Sequence, residues 1–510
     1  MKPYTENKLL KHLHHIFSKF PEKKTAFIFK EQEYTFGHLF SRSKEIYSYL
    51  VSQGVKKGEP ILVNTCPHFE TYAAMLAGYL GGFVLVPLSF TNSSDRDRLI
   101  LSNIPAKLVL TAEKTYDGIV NIDLHSISTS KLYSFPSLED IDFFDPVLVL
   151  HTSGSTGLPK GACLSYANLW AYLMHFSNNF GSSFTYDDLF LQMFDLGFDF
   201  SLQHYLLGWI TATPVLVVEN YNLKFVEILR LLKKYPVTMS GFPPSFLRFC
   251  RPFVNREAFS SVKYAVFSSE ALLIDDLQVA KKLFPAARMD NQYGPTECTV
   301  TVTSYNHLEK INQPAEYQNI ISIGRPYQNN VIYIVDENLK PLANGEKGEI
   351  VIAGPQVATY GYLNSSASEN KFVKMKTEGG GVVDAYRTGD SGYFNEESLL
   401  MYTGRIDFQI KMNGYRIDPA EMEGMFRKHY PGINVVVLKH TRSNLGDCLA
   451  FVIENVEPQY INSIKENLLN IVPRHFQPVE VYAISQFPLN ANGKTDRSEI
   501  QRLLNLKSNE

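Results

Sequence analysis

The chain has 510 residues, of which 45% are apolar and 20% are charged, so it can hold more than one domain and a large core. Its formal net charge of −3 leaves no basic footprint for nucleic acid or for an anionic membrane. The five cysteines are widely spaced and form no CxxC pair, which argues against zinc and disulfide frameworks and favours a reducing, cytoplasmic setting. No apolar stretch approaches the roughly 20 residues of a membrane helix, and the N-terminal segment lacks the apolar run of a signal peptide.

The first half of the chain predicts strands that alternate with helices. Residues 25–36 (TAFIFKEQEYTF) indicate a two-stranded hairpin, and apolar residues at helical spacing follow over 37–55. Short β-branched runs then recur between helical segments, as in EPILVNTC, FVLVPLS, AKLVLTA, TPVLVVE and KYAVFSSE. Because such runs are typical of parallel strands buried on both faces, the sequence predicts an α/β core of parallel-rich sheets covered by helices.

The sequence pattern changes after about Tyr317. Two strands joined by a turn-rich segment (NNVIYIVDENLKPLANGEKGEIVIAG) and the antiparallel strands after them predict a small β-barrel-like module over about 318–405. The last hundred or so residues combine helices, such as DPAEMEGMFRKHY, with strands, such as GINVVVLKHT, which indicates a compact α+β domain. We therefore predict an N-terminal core over 1–405 and a smaller C-terminal domain over 406–510.

A glycine-rich loop, TSGSTGLPKG, directly follows the predicted strand DPVLVLHT. Its glycines allow several backbone N–H groups to point at one anion, while hydroxyl groups and Lys160 add donors and positive charge. The natural ligand of such a loop is a phosphate chain, and a polar surface turn is the alternative. It is not a Walker loop, because only two residues separate Gly154 from Gly157 and a glycine, not Ser or Thr, follows the lysine. The predicted phosphate-binding residues are Thr152, Ser153, Gly154, Ser155, Thr156, Gly157 and Lys160.

This loop resembles the phosphate loop of the adenylate-forming superfamily, which includes acyl-CoA synthetases, luciferases and the adenylation domains of peptide synthetases. Four further motifs occur in the order of that family: NQYGPTECT, YRTGD, GRIDFQIKMNGYRID and NANGKTDR. The resemblance spans nearly the whole chain and is closest to amino-acid adenylation domains, including stand-alone ligases. It implies a ligase that uses ATP and Mg²⁺ to activate a carboxylate, with a mobile C-terminal domain beside the large core.

The resemblance also assigns a nucleotide site to the middle motifs. Glu297 is similar to the family's magnesium carboxylate. A hard cation such as Mg²⁺ prefers oxygen ligands of this kind. A surface charge is the alternative for Glu297. Tyr293 is expected against adenine, whose amino edge Asn291 would reach. Asp390 is expected to accept hydrogen bonds from both ribose hydroxyls beside Arg405, and a surface ion pair of these two is the alternative. Beyond the glycine loop, the predicted ATP-binding residues are Asn291, Gln292, Tyr293, Gly294, Pro295, Thr296, Asp390, Tyr402, Arg405 and Lys494.

Three residues of the C-terminal part are expected to act in sequence. Lys494 resembles the lysine that bridges the substrate carboxylate and the α-phosphate, although a lysine so near a C-terminus is ordinarily a solvated charge. Asp407 resembles the hinge about which the C-terminal domain rotates after the first step. Gly414 then lies where a pantetheine arm passes, and an ordinary Asn-Gly hairpin turn is the alternative. Lys494, Glu297 and Thr152 are the predicted catalytic residues.

Asp199, in LGFDFSLQHYL, decides the substrate class. It resembles the aspartate that holds the α-ammonium group in amino-acid adenylation domains, and capping of the following helix is the alternative. The remaining predicted pocket residues are Phe200, Gln203, Gly241, Val266, Ser268, Gln292, Val300 and Lys494. Gly241 is expected to leave room and the polar members to offer contacts, which suggests a small-to-medium amino acid. Asp195, four residues before Asp199, is a second candidate for the amine of a shifted substrate, such as a β-amino acid.

The sequence therefore predicts a ligase that forms aminoacyl-AMP, releases pyrophosphate and loads the aminoacyl group onto the phosphopantetheine thiol of a separate carrier protein. Because the chain ends shortly after Lys494, the carrier is expected in trans. An acid–CoA ligase using free coenzyme A is one alternative, against which Asp199 argues. A nucleotide-binding regulator without catalysis is the other, against which Lys494, Glu297 and Asp390 argue together. Neither nucleic acid nor membrane insertion is expected, and the amino acid, its stereochemistry, the carrier and the pathway stay open.

Overall fold

The computed structural model describes residues 6–19, 22–152, 159–180, 184–219, 223–363, 370–376, 380–406, 409–442, 446–488 and 495–507. Its α-helices are α1 (Lys8–Lys19), α2 (Phe36–Ser52), α3 (Phe69–Gly81), α4 (Ser94–Asn103), α5 (Tyr166–Phe180), α6 (Tyr205–Thr211), α7 (Lys224–Lys234), α8 (Pro244–Cys250), α9 (Ile274–Leu283), α10 (Pro419–His429), α11 (Ile461–Ile471) and α12 (Arg497–Lys507). Among the described residues, none of these helices has the length and apolar character required to cross a membrane.

The strands of the first 326 residues are β1 (Thr25–Phe29), β2 (Gln32–Thr35), β3 (Pro60–Asn64), β4 (Val84–Leu88), β5 (Leu108–Thr111), β6 (Val120–Asp123), β7 (Pro146–Thr152), β8 (Lys160–Ser165), β9 (Phe190–Gln192), β10 (Val215–Val217), β11 (Met239–Phe242), β12 (Tyr264–Phe267), β13 (Arg288–Tyr293), β14 (Thr303–Tyr305), β15 (Glu316–Tyr317), β16 (Ile320–Ile321) and β17 (Arg325–Pro326). The later strands are β18 (Val331–Val335), β19 (Gly348–Ala353), β20 (Phe372–Lys376), β21 (Val382–Phe394), β22 (Leu400–Arg405), β23 (Ile410–Met412), β24 (Tyr415–Ile417), β25 (Val435–Arg442), β26 (Gly446–Glu454) and β27 (Val479–Ile484).

The spatial contacts between residues divide the described residues into two compact units. The first comprises described residues within 1–90, 104–150 and 161–406, and the second those within 91–103, 151–160 and 407–510. The second unit thus joins α4 to the C-terminal residues, through a buried ion pair of Arg96 and Glu421 and a 2.7 Å contact between Thr91 Oγ1 and His475 Nδ1. The domain boundary predicted between residues 405 and 406 stays a prediction.

Two large sheets form the centre of the first unit. The nine-stranded sheet has the order β17-β14-β13-β12-β11-β9-β10-β1-β2, with parallel pairing from β13 through to β1 and antiparallel strands at both edges. The six-stranded sheet has the order β6-β5-β3-β4-β7-β8, and its pairs from β6 through β7 are parallel. The predicted parallel-rich α/β core and the hairpin at 25–36 are therefore confirmed. Parallel strands align their carboxyl ends, so the residues that follow them gather at one edge of each sheet.

Local sequence signals fix several of these elements. Thr35 caps α2, since its side chain accepts a hydrogen bond from the His38 N–H at 3.1 Å while His38 returns a contact to the Thr35 N–H. At the end of α3, Gly82 has φ of 70°, a left-handed conformation that glycine adopts readily. Strand β4 is buried along its whole length between covering elements, which explains its continuous apolar run.

The β-rich segment near residues 331–405 is an antiparallel sheet of five strands. Its order is β18-β19-β21-β20, with β22 also paired to β21. The predicted small β-rich module is therefore confirmed. Within the described residues no ladder joins β18 to β20, so its sheet does not close into a barrel. In the second unit, β25, β26 and β27 form a three-stranded sheet that shares one apolar cluster with α10 and α11 and a second one with α12. The predicted α+β arrangement of the C-terminal residues is confirmed.

Candidate active site

A buried carboxylate lies where β13 meets the β21–β22 pair. The Tyr293 hydroxyl donates to Asp390 Oδ2 at 2.5 Å, and Arg405 Nη1 donates to Asp390 Oδ1 at 2.7 Å. Asp390 and Arg405 are direct cross-strand partners, and their side chains are 3% and 8% exposed. The alternative of a surface ion pair is therefore wrong: the pair is buried and belongs to an organised polar site.

Hydrogen bonds around Asp390 keep this site rigid. Arg405 Nη2 donates to the Thr388 carbonyl at 3.1 Å, and the Asp390 N–H donates to Thr388 Oγ1 at 2.9 Å. Burial, and after it the negative charge of Asp390, raises the pKa of Tyr293 well above its usual value, so its phenol stays protonated as a donor. A carboxylate has about four lone-pair positions, so Asp390 keeps acceptor capacity beyond these two side-chain bonds.

Glu297 lies in a short 3₁₀ turn, Thr296–Cys298, that follows β13. Its side chain is fully buried, and its Oε1 accepts a hydrogen bond from the Tyr362 hydroxyl at 2.6 Å. The hydroxyl groups of Tyr362 and Tyr386 are 3.2 Å apart, which extends the polar network. The alternative of a surface charge is excluded by this burial. Among the described residues no group of three or more His, Cys, Asp and Glu side chains forms a metal site, so a cation here would take its other ligands from a bound substrate or water.

The loop after Glu297 has a strained backbone. Thr299 and Val300 have φ of 56° and 71°, a left-handed region that is unfavourable for β-branched residues. Gln356 holds this loop: its Nε2 donates to the backbone carbonyl oxygens of Thr299 and Thr301 at 3.1 and 2.7 Å, and its backbone carbonyl oxygen accepts from Thr299 Oγ1 at 2.7 Å. Gln356 lies 55 residues after Thr301 in the sequence, so no local sequence pattern indicates its role.

We expect Gly294→Ala to destabilise the chain. A Cβ on Gly294 would lie 2.5 Å from Thr301 Cα and 2.7 Å from the Val300 carbonyl oxygen, and these backbone atoms cannot rotate away. Overpacking of this kind costs about 1–3 kcal/mol. Thermal and denaturant unfolding measure the loss. Gly424→Ala in α10 is the matched control, since nothing lies within 4 Å of its added Cβ and alanine favours a helix, so its melting temperature should not fall.

Asp199 begins the 3₁₀ helix Asp199–Gln203 and is only 6% exposed. The N-cap of this helix is Phe198, which makes no side-chain cap hydrogen bond, and α6 begins only at Tyr205. The alternative that Asp199 caps the following helix is therefore wrong. A buried carboxylate that does not serve as a cap is a strong candidate for binding a charged group.

A polar network brings Asp199 and Gln203 close to the residues after β13. The Tyr172 hydroxyl donates to Gln203 Oε1 at 2.9 Å. Burial, then Tyr327 and Asp199, raises the pKa of Tyr172, while a hydrogen bond with Thr301 opposes the shift. Thr301 Oγ1 also donates to Gln292 Oε1 at 3.2 Å. The structure thus assembles the predicted pocket residues Gln203 and Gln292 around a tyrosine and a threonine that the motifs did not indicate.

Phe200 fills the space beside Gly241. A Cβ on Gly241 would lie 2.6 Å from the Phe200 ring, and the ring packs edge-on against Phe194 at 5.0 Å. The expectation that Gly241 leaves room is therefore wrong, because the vacant volume is occupied from inside the protein. Val266 pairs with Gly241 in the next strand, and Ser268 follows the end of that strand; both are buried.

His204 fixes this wall. Its Nε2 accepts the Gly241 N–H at 2.9 Å, so the ring proton must be on Nδ1, which donates to the Phe200 carbonyl at 3.0 Å. Burial lowers the pKa of His204 to about 3, which keeps the ring neutral. His204 is a further residue that the sequence did not single out, although it lies one residue beyond Gln203.

Other predicted residues divide into those the structure describes and those it does not. Thr152 ends β7 and Lys160 begins β8, with Thr152 Oγ1 3.5 Å from the Lys160 carbonyl. Asn291 donates its side-chain N–H to the Ser322 carbonyl at 2.9 Å, and the ring centroids of Tyr293 and Tyr402 are 6.4 Å apart. Pro295 and Thr296 lie in the turn that leads to Glu297. The predictions for Ser153, Gly154, Ser155, Thr156, Gly157, Asp407 and Lys494 lie outside the described residues.

Gly414 lies in the turn between β23 and β24. Asn413 and Gly414 have φ of 53° and 84°, so both adopt the left-handed conformation of an Asn-Gly hairpin turn. The alternative that Gly414 belongs to an Asn-Gly hairpin turn is therefore confirmed. Its role in the passage of a pantetheine arm stays a prediction.

The fold and these buried sites define an enzyme of the adenylate-forming class. A family profile described as AMP-binding enzyme matches residues 13–363, more than half of the chain, and the chain belongs to that family. It is 28% identical over 485 residues to the D-alanine–D-alanyl carrier protein ligase of Streptococcus agalactiae serotype III (strain NEM316), with 91% of this chain and 93% of the relative covered. The predicted family is confirmed.

Two solved structures share the fold. NpsA-ThdA, an artificially fused adenylation–PCP di-domain of a peptide synthetase from Klebsiella oxytoca, has a TM-score of 0.80 at 20% identity, with 99% of this chain and 97% of that chain covered. The Vibrio cholerae adenylation domain AlmE, solved with glycyl-adenosine-5'-phosphate, has a TM-score of 0.79 at 19% identity, with 99% of each chain covered. The predicted large N-terminal part and smaller C-terminal part are confirmed by these similarities.

Proposed function

We propose that this protein activates a small amino acid with ATP and transfers it to the thiol of a separate phosphopantetheinylated carrier protein. The observation that carries the proposal is Asp199, a buried carboxylate that does not serve as a helix cap and lies next to the Tyr172–Gln203 network. A cationic α-ammonium group would bring a compensating positive charge to this buried carboxylate, whereas the acyl chain of a fatty acid would bring none. The name of the S. agalactiae relative, with its D-alanine and its carrier protein, supports the same assignment.

In the first step, an oxygen of the substrate carboxylate attacks the α-phosphorus of ATP, and the bond to pyrophosphate breaks. Asp390 would accept the ribose hydroxyls, with Arg405 compensating its charge, and the residues from Asn291 to Tyr293 would flank adenine. Glu297 suits Mg²⁺ as a buried oxygen ligand, and the cation would offset the charge of the phosphates. Lys494 would bridge the carboxylate and the α-phosphate, and the loop from Thr152 to Lys160 would hold the outer phosphates.

In the second step, the carrier thiol attacks the carbonyl carbon of the aminoacyl-adenylate, and AMP leaves. Rotation about Asp407 would replace Lys494 by the β23–β24 hairpin, and Gly414 at its turn would leave space for the pantetheine arm. The positive φ of Gly414 disfavours residues with a side chain at this position. The hairpin turn and the proposed passage of the pantetheine arm therefore both favour glycine.

Two features of the pocket favour a small substrate. Phe200 occupies the volume beside Gly241, and both Phe194 and His204 pack against its ring, so this wall cannot recede. Gln203 is fully buried, and among the described residues its Nε2 has no hydrogen-bond partner, so it is a candidate donor to a polar substrate group. Glycine, alanine, serine and β-alanine are therefore the first amino acids to test.

ATP–pyrophosphate exchange tests the proposal. The panel is D-alanine, L-alanine, glycine, β-alanine and L-serine, with propionate and octanoate as acids that lack the amine. We expect exchange with at least one small amino acid and none above background with the two amine-free acids. Loading is then measured on a phosphopantetheinylated D-alanyl carrier protein and on free coenzyme A. Exchange only with octanoate, followed by coenzyme A ligation, would instead support the acid–CoA ligase, and no exchange at all would support a regulator.

A further inference from the structure

Asp195 is a second buried aspartate close to the proposed amino-acid pocket, and three donors of the protein bind its carboxylate. Thr65 Oγ1 lies 2.8 Å from both carboxylate oxygens, Ser89 Oγ donates to Oδ2 at 3.0 Å, and the Gly197 N–H donates to Oδ1 at 2.7 Å. The residue is 3% exposed. These three donors occupy most of the acceptor positions of Asp195, which favours Asp199 over Asp195 as the carboxylate that binds a substrate amine.

The donors come from the carboxyl ends of neighbouring strands. Thr65 follows β3 and Ser89 follows β4, both in the six-stranded sheet, whereas Asp195 follows β9 of the nine-stranded sheet. Asp195 therefore links the two large sheets of the first unit at the edge where ligands bind in α/β folds. A Cβ on Gly197 would lie 3.0 Å from Asp195 Oδ1 and 3.6 Å from Ser89, so the link is also closely packed.

The same link leads directly to Asp199. The Phe198 N–H donates to the Asp195 carbonyl at 2.9 Å and closes a tight turn, and the Ser201 N–H donates to the Phe198 carbonyl at 3.0 Å. Asp199 is the first residue of the 3₁₀ helix after this turn. Its backbone position is thus set on one side by the bonds to Asp195 and on the other by the Tyr172–Gln203 contact.

We infer that Asp195 is a positioning residue, which holds the Asp199 carboxylate in its binding position by tying the preceding turn to the ends of β3 and β4. The inference rests on the proposed function, since it concerns how the same amino-acid site is held. It differs from a purely structural role because the bonds end at the turn that carries Asp199, and a small displacement of a binding group lowers activity strongly.

The charges around Asp195 define the pH at which this link weakens. Burial raises the pKa of Asp195 to about 6, against the opposing effect of the Gly197, Thr65 and Ser89 bonds and of the Lys224 charge. Lys224 lies with its ammonium 4.5 Å from the Phe194 ring centre, and burial lowers its pKa to about 8, so it stays charged below that pH. Burial raises the pKa values of Tyr72 and Cys66, so both remain neutral between pH 5 and 7. Of these groups, Asp195 alone changes charge near pH 6.

The test is Asp195→Asn in the full-length chain, assayed by ATP–pyrophosphate exchange with the panel amino acid that gives the highest wild-type rate. At pH 8 we expect the amino-acid KM to rise about 10- to 100-fold, with the ATP KM within about threefold of wild type. Thr65→Val removes a hydroxyl at nearly constant volume and should raise the same KM, whereas Thr65→Ser keeps the hydroxyl and should not. Asp188→Asn is the matched control: Asp188 is also buried and bonded, to Thr185 and Lys263, but away from the pocket.

The pH profile separates positioning from folding. Below pH 6 the wild-type amino-acid KM should rise as Asp195 takes up a proton, approaching about tenfold per pH unit, and Asp195→Asn should lack this rise. The melting temperature of Asp195→Asn at pH 8 should not fall in step with affinity, because burial disfavours the ionised carboxylate that the substitution removes. An unchanged KM, an unchanged inflection near pH 6, or an equal effect of Asp188→Asn overturns the inference while wild-type exchange still upholds the proposed function. Absence of exchange with every amino acid overturns both.

Discussion

Lys494→Ala should lower the rate of ATP–pyrophosphate exchange by about 10²–10³-fold while the chain stays folded. The expected loss is in kcat, because the ammonium group would contact charge that develops between the carboxylate and the α-phosphate and would add little to the binding of either ground state. Removal of one such preorganised donor is known to have this magnitude in other enzymes. Exchange with saturating amino acid and ATP measures it directly.

The second step supplies a sharp control for Lys494. If the C-terminal domain exchanges Lys494 for the β23–β24 hairpin after adenylation, then loading of the carrier from chemically synthesised aminoacyl-adenylate should proceed in Lys494→Ala at close to the wild-type rate. Lys428→Ala, an exposed lysine in α10, should leave both steps unchanged. Equal exchange rates for Lys494→Ala and wild type would show that the residue has no catalytic role.

Asp199→Asn should raise the KM for the amino acid by about 10²–10³-fold. Leaving a buried charge without its partner costs about 3–5 kcal/mol, and here the uncompensated charge would be the substrate ammonium. The asparagine side chain is nearly the same size, so packing in the 3₁₀ helix Asp199–Gln203 should be retained and the ATP KM should stay near the wild-type value. Asp187→Asn, an exposed aspartate 12 residues earlier in the chain, is the matched control.

Selectivity between acids gives a second measurement on Asp199. In the wild type, propionate lacks the ammonium group that would compensate Asp199 and should be rejected strongly relative to alanine. In Asp199→Ala the buried charge is absent, so the ratio of alanine to propionate exchange should fall by at least tenfold. An unchanged ratio would mean that the ammonium group is recognised elsewhere, and the assignment of an amino-acid substrate from Asp199 would fail with it.

The sequence indicated the fold class because its signals are local. The apolar runs of β3 and β4 and the periodic spacing of α2 depend only on neighbouring residues. The family motifs likewise indicated Tyr293, Asp390 and Arg405 as parts of one site, although 97 residues separate the tyrosine from the aspartate that it contacts.

What the sequence could not indicate is supplied by long-range packing. Tyr172 and Gln356 reach the site from distant segments, and neither lies in a motif. Thr65 and Ser89 carried one weak signal, since each is a hydroxyl residue directly after a buried parallel strand. Gly241 was misjudged because a missing side chain reveals nothing about which neighbour fills the gap, and here Phe200 does so. The role of the Asn-Gly pair at 413 and 414 was ambiguous, because a glycine there suits both a hairpin turn and the passage of a pantetheine arm.

The arrangement of Tyr293, Asp390 and Arg405 has a consequence for nucleotide affinity. The carboxylate is largely shielded from water by the protein itself and is oriented by two side-chain donors. Most of the free-energy cost of dehydrating this carboxylate is thus met during folding. A ribose that binds at Asp390 would therefore contact an acceptor that is already in position. The free energy of binding at this point would then reflect the new hydrogen bonds almost fully. A change at Arg405 would weaken nucleotide binding in part by removing the donor that orients Asp390.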